Sequence, residues 1–265
     1  MRTFNKHKKI AAPIRILEQK ELKKRSDELS RREGLLHQRE QEFAIKEKLI
    51  DNLLHDTRQI NSNLVDSIDR IDFENASPNI LRIWAQANLL SIRQRLYDFE
   101  INPDMLEKVD KLNFPVHKRF SKVFKCLKYE SSKKKLWIDN DKGTFLKFYA
   151  HDILEIAFYI IAENAIKYAV PGSHINVKYD EAGSDLTVVV TNKCECLPLE
   201  NELDKLFERG YRGMNASEKG TGIGMYTLKK ILDHQGVPIK VNNIHNPDNK
   251  SGSFSVCLTF KDCVD

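Results

Sequence analysis

Asn164 and Lys167 interrupt the most apolar stretch of the chain, Asp152-Ile-Leu-Glu-Ile-Ala-Phe-Tyr-Ile-Ile-Ala-Glu-Asn-Ala-Ile-Lys-Tyr168. If this stretch is a helix, Ile153, Ile156, Ala157, Ile160, Asn164 and Lys167 share one stripe. An amide and an ammonium on such a face are costly unless partnered, and a bound anion with its metal would satisfy both. The other reading is that the stripe simply reaches the surface at its C-terminal end. A second pattern is Lys219-Gly-Thr-Gly-Ile-Gly-Met225. Alternating glycines let a backbone turn sharply and present its N–H groups, and a helix starting there adds positive potential, so the chemistry is phosphate binding. A dinucleotide fingerprint does not fit, because the expected strand, spacing and acidic partner are missing. The third pattern is Leu54-His-Asp-Thr-Arg58, an imidazole beside a carboxylate. Taken alone, His55 also reads as a solvated surface histidine.

These residues need elements to hold them. Helices are expected over His117 to Tyr129, Asp152 to Tyr168 and Ile223 to His234. Strands are expected over Lys135 to Ile138, Ile175 to Tyr179, Leu186 to Thr191, Ile239 to Asn243 and Ser253 to Phe260. Helices among mostly antiparallel strands make an α+β fold, a two-layer α/β sandwich, over residues 116–265. Upstream, Ile14 to Ile71 contains no proline and a single glycine, Gly34, and is rich in Glu, Lys, Arg, Gln and Leu, as a long helix requires. Leu22, Leu29, Leu36, Phe43 and Ile50 recur every seven residues, which is coiled-coil spacing. The intervening d positions are Arg25, Arg32, Arg39 and Lys46, so the seam is weak until Leu53, Ile60, Leu64 and Ile71 make it apolar. His55 and Arg58 fall at f and b, outside the seam.

Asn75-Ala-Ser-Pro78 reads as a turn, and Asn79 to Phe99 as a second helix. The expected layout is a basic N-terminal coiled coil over 1–50, a helical hairpin over 51–100, a linker over 101–115 and the sandwich. Two such hairpins bury their apolar faces by pairing into a four-helix bundle, so a homodimer is expected.

Composition narrows the function classes. At 265 residues the chain has room for one ordinary domain and an extended arm. The longest apolar run, Ile156 to Ala162, is far short of the roughly 20 residues that span a bilayer, and no signal-peptide pattern follows the N-terminus. Cys126, Cys194, Cys196, Cys257 and Cys263 form no regular set, which suits a reducing, cytoplasmic setting. Residues 1–50 hold 14 Lys/Arg against 8 Asp/Glu, so an electrostatic partner would meet the arm. A solvated helix face explains that surplus, and nucleic acid is not the expected partner.

Together the motifs resemble the nucleotide-binding domain of sensor histidine kinases, within the GHKL group that includes gyrase, Hsp90 and MutL. Glu163-Asn-Ala-Ile-Lys-Tyr168 is similar to the N box, Leu206-Phe-Glu-Arg-Gly-Tyr-Arg-Gly213 to the F box of the lid, and Gly220, Gly222 and Gly224 to the G2 glycines. The resemblance implies ATP and magnesium as cofactors. It places Asn164 on the metal, and Lys167 and the Gly220–Gly224 backbone on the phosphates. Tyr168, Phe207, Arg212, Thr221, Ile223 and Met225 complete the nucleotide site. Leu54 to Arg58 is similar to the H box, without the proline that often follows. This implies that His55 is the phosphoacceptor, that Asp56 and Arg58 assist it, and that a response-regulator receiver domain is the next carrier. One motif departs from the family. Asn192-Lys-Cys-Glu-Cys-Leu-Pro198 stands where Asp-x-Gly-x-Gly-Ile-Pro is usual, so Asn192 replaces the adenine-binding aspartate and Cys194 and Cys196 replace glycines. Ile160 stands where many members carry another asparagine. Two alternatives follow: a phosphotransfer protein with a weakened ATP site, or an ATP-dependent scaffold or switch without a phosphoacceptor.

Overall fold

The computed structural model describes residues 4–70, 75–102, 110–140, 143–195, 197–213, 221–246 and 251–265, with only the backbone for 4–19. Ile71, Cys196, Lys219 and Gly220 lie outside the described residues. The chain divides into two units, Met1–Gln59 and Ile60–Asp265.

In the first unit the chain is helical from Phe4 onward, as part of helix α1 (Phe4–Ile68). The heptad residues Leu22, Leu29, Leu36, Phe43 and Ile50 are exposed. Two of the four basic d positions are partnered within the helix: Arg25 lies 3.7 Å from Glu21 and Arg32 3.3 Å from Glu28, both at i,i+4 spacing.

The second unit begins with the end of α1 and helix α2 (Pro78–Ile101). Ser77 caps α2 through its side chain and Pro78 occupies the first turn, where its missing N–H costs nothing. Across this hairpin Asn61 Nδ2 donates to Ala87 O at 2.9 Å and to Ser91 Oγ at 2.7 Å. Trp84 Nε1 donates to Asp69 Oδ1 at 3.0 Å.

The chain continues through β1 (Leu112–Pro115), α3 (Val116–Cys126), α4 (Lys128–Lys133), β2 (Trp137–Asp139), β3 (Lys147–Ala150), α5 (Leu154–Tyr168), β4 (His174–Ala182) and β5 (Asp185–Cys194). Two 3₁₀ turns (Glu200–Glu202 and Asp204–Phe207) lead to α6 (Gly224–His234), β6 (Ile239–His245) and β7 (Gly252–Phe260). Five strands form one sheet in the order β2-β4-β5-β7-β6, antiparallel except for the β2–β4 pair. Alternation along β5 buries Leu186, Val188 and Val190. The helical layer supplies Phe120, Phe158, Leu228 and Ile231 to the same core. Phe158 sits at its centre, with ring centroids 4.3 Å from Phe120, 5.5 Å from Phe114 and 6.3 Å from Phe260.

Two features differ from the expected layout. Leu112–Pro115, read as linker, is a strand that pairs antiparallel with β3. Phe114 on that strand is fully buried. Helix α2 packs against α3 and α5, and its Ala85, Leu89, Ile92 and Phe99 belong to the sandwich core.

That contact is fastened by charge. The Glu155 carboxylate, 1% exposed, receives Arg95 from α2 on Oε2. Lys122 and Arg119 from α3 lie 3.3 and 3.6 Å from its Oε1. Burial is the largest influence and pushes this carboxyl up, but the three cations together outweigh it and hold it below the ordinary value.

Candidate nucleotide-binding cleft

Helix α5 buries Ile156, Ala157 and Ile160 and brings Asn164 and Lys167, both half-buried, to an open cleft of about 1100 Å³. Asn164 Nδ2 donates to Met225 Sδ at 3.4 Å, which leaves the amide oxygen as the atom available to a cation. The Lys167 ammonium lies 5.1 Å from the centre of the Tyr168 ring, and both residues line the cleft.

The facing wall is the sheet. Val190 on β5 and Phe254 and Val256 on β7 give an apolar surface, and Leu197 extends it. Asn192, 4% exposed, lies among them with Nδ2 2.9 Å from Cys194 Sγ. A flat surface with one buried amide suits a planar heterocycle.

The glycine loop makes the third side, and Thr221, Gly222, Ile223, Gly224 and Met225 all line it. Gly222 has φ +71°, which a Cβ disfavours. An added Cβ would also sit 2.6 Å from the Gly210 carbonyl carbon and the Tyr211 oxygen. The close approach is held by Gly210 N–H donating to the Gly222 carbonyl at 3.1 Å. Gly222→Ala is therefore expected to cost about 1–3 kcal/mol and to weaken nucleotide binding, as a thermal melt and a nucleotide titration would show. A fully stable variant with unchanged affinity would refute the close-packed crossing.

Helix α6 starts here without a side-chain cap: Ile223 at its N-cap makes no cap hydrogen bond and no acidic residue sits in the first turn. Its leading amides are thus available to an anion.

Arg212 and Gly213 line the cleft beside the crossing. Phe207 does not. It is half-buried at the end of the second 3₁₀ turn, and its neighbour Leu206 faces the cleft instead. The segment is anchored by buried Glu202, which accepts from Tyr211 OH at 2.7 Å and from Leu199 N at 2.8 Å.

His55 lies in the first unit, on α1, with 74% of its side chain exposed. Its Nδ1 is 3.4 Å from Asp56 Oδ1, so Nε2 is the ring nitrogen left facing solvent. Other histidines have structural neighbours: His174 Nδ1 is 2.8 Å from Asp139, and the His117 ring lies edge-on to Tyr179.

Arg93, Leu96 and Glu100 of α2 also line the cleft, and sequence reasoning did not assign them to it. Their i, i+3, i+7 spacing was visible as one helical face, but what that face meets was not.

The family described as histidine kinase-, DNA gyrase B- and HSP90-like ATPase matches residues 150–262. The signal transduction histidine-protein kinase ArlS of Staphylococcus aureus strain USA300 is 29% identical over 118 residues, covering 43% of this chain and 25% of that protein. The match thus spans a quarter of the length of this curated relative. Among solved structures, the mycobacterial sensor histidine kinase MprB has a TM-score of 0.49 and 16% identity, covering 58% of this chain and 99% of that one. Full-length ShkA in complex with AMPPNP has a TM-score of 0.49 and 10% identity, covering 80% of this chain and 45% of that one. With the cleft's composition, the family match makes residues 150–262 an ATPase domain of the histidine kinase-, DNA gyrase B- and HSP90-like family.

Proposed function

We propose that this chain is an ATP-dependent protein-histidine kinase of a two-component system, acting in the cytoplasm as a homodimer. The observation that carries the reading is the convergence in one cleft of Asn164, Lys167, Asn192 and the uncapped start of α6. Residues 116–265, with β1, form the ATP-binding domain, 51–100 the dimerising hairpin, and 1–50 an arm whose exposed Leu22–Ile50 seam takes a second copy of itself.

The donor set fits magnesium. Among the described residues there is no cluster of three His, Cys, Asp or Glu side chains, and the Asn164 amide oxygen is left available by the Nδ2 contact to Met225. Magnesium is commonly held by one or two protein groups and completed by phosphate oxygens and water. When bound by Asn164 it supplies charge neutralisation to the phosphates. Lys167, Arg212 and the backbone of Gly222 to Met225 bind and orient the triphosphate. Asn192 accepts from the adenine amino group, without the charge that makes a carboxylate the stronger acceptor.

In the transfer step His55 Nε2 forms a bond to the γ-phosphorus while the bond from that phosphorus to the β,γ-bridging oxygen breaks, and ADP leaves with the electron pair. Asp56 orients the ring through Nδ1 and helps take up its proton, and Arg58 lies one helical turn away. Positioning carries most of such catalysis, so the domain must approach His55 with the phosphate in line. A receiver-domain aspartate then takes the phosphate.

Incubated with Mg-ATP labelled at the γ-phosphate, the wild type should acquire an alkali-stable, acid-labile phosphate. His55→Gln should acquire none while still binding ATP. Labelling that persists in His55→Gln would remove His55 from the reaction. The altered stretch Asn192-Lys-Cys-Glu-Cys196 favours a second reading, phosphotransfer through a weakened ATP site, because a neutral amide at 192 is a weaker acceptor than a carboxylate. An absence of ATP binding together with acceptance of phosphate from a phosphorylated receiver domain would decide for it.

A further inference from the structure

Arg93, Leu96 and Glu100 form a stripe along α2 that faces the nucleotide cleft. At one end Arg93 Nε donates to the Tyr159 hydroxyl at 3.2 Å, and Nη2 lies 3.7 Å from Oε1 of Glu163, the residue beside Asn164. At the other end Glu100 Oε1 accepts from Thr227 Oγ1 at 3.2 Å, in the first turn of α6. The stripe therefore runs between the two features that mark the phosphate end of the cleft, Asn164 on α5 and the uncapped start of α6.

The setting of Arg93 is hard to explain as a stability device. Its side chain is 63% exposed and the Glu163 contact exceeds hydrogen-bond length, and pairs of that kind contribute little to folding. Yet the guanidinium is held in place. The Tyr159 hydroxyl donates to Glu163 at 2.5 Å and accepts from Arg93, so an ordered relay fixes Nε. Among the described residues the Nη groups make no hydrogen bond to protein; Glu163 and Glu130 act on the guanidinium by charge, and it borders the cleft that Asn164, Lys167 and the start of α6 also line. A planar fork of N–H donors matches a phosphate's oxygens.

We propose that Arg93 is a phosphate-binding residue of the nucleotide site, contributed by α2, so that bound nucleotide clamps α2 onto the ATPase domain. The inference rests on the nucleotide reading of the cleft. A contact made only while α2 is seated means that nucleotide affinity and α2 docking strengthen each other by the same factor.

Calorimetric titration of the intact chain with Mg-ATP, Mg-ADP and AMP tests it on wild type, Arg93→Gln and Arg93→Lys. Arg93→Gln is expected to weaken Mg-ATP about tenfold, Mg-ADP less and AMP hardly at all, with Arg93→Lys between. Hydrogen exchange of residues 92–100 in the wild type should slow on adding Mg-ATP, and in Arg93→Gln it should not. Equal Mg-ATP affinity in wild type and Arg93→Gln overturns the inference and leaves the kinase reading standing. An equal loss for all three nucleotides assigns Arg93 a merely structural role and also overturns it. A wild type that binds no adenine nucleotide overturns both. If Arg93→Gln does not fold, the wild-type exchange measurement decides, and unchanged exchange of α2 with saturating Mg-ATP overturns the clamp.

Discussion

Glu155→Ala is expected to destabilise the unit formed by residues 60–265 by about 3 kcal/mol, lowering its melting temperature by roughly 10 °C. The carboxylate is the common partner of Arg95, Arg119 and Lys122, so its removal leaves three cations facing one another and a void beneath α2. The cost falls at the low end of the range for broken buried pairs because each cation keeps about 30% exposure. The acid limb of the stability curve carries the same signature. Glu155 is depressed in the folded state, so between its folded and unfolded pKa values the unfolded chain binds more protons and stability rises with pH. The contribution is fully present above the unfolded value and is lost as pH falls through the folded one. Glu155→Ala should therefore show a flatter acid limb than the wild type. A melt within a degree of the wild type would show that the cluster contributes nothing net.

Asn164→Ala should reduce the initial rate of phosphohistidine formation by about a hundredfold or more, the size seen when one preorganised electrostatic contact to a reacting group is removed. The substitution should leave folding intact, because the amide is half-buried and its hydrogen bond to protein goes to a thioether. The diagnostic is metal dependence: wild-type affinity for ATP should rise with added magnesium, while that of Asn164→Ala should respond weakly. If the variant keeps both the rate and the magnesium response, the metal is held elsewhere.

The cleft was legible in the sequence where one local pattern carried both an element and its chemistry. The stripe ending in Asn164 and Lys167 is one such case, and the glycine loop running into α6 is another, since helix periodicity and glycine spacing are short-range signals. Elements fixed by distant partners were not. The strand Leu112–Pro115 has four residues and ends in proline, too little for a period of two to register, and its identity comes from pairing with Lys147–Ala150. The apolar face of α2 was visible, but amphipathicity states only that a face is covered. Nothing local says that Leu89 and Ile92 join the sandwich core or that Arg95 reaches Glu155. Glu155 itself was a clue, an acid at the start of the apolar run of α5, since a buried charge requires partners. Phe207 and Leu206 exchanged roles because a 3₁₀ turn does not preserve the facing of an aligned motif.

The hydrogen bond between Gly210 and Gly222 ties two chain segments at a single crossing. The start of α6 is thereby seated against the segment that carries Tyr211 and Arg212, so loosening either glycine displaces the leading amides and that side of the cleft together.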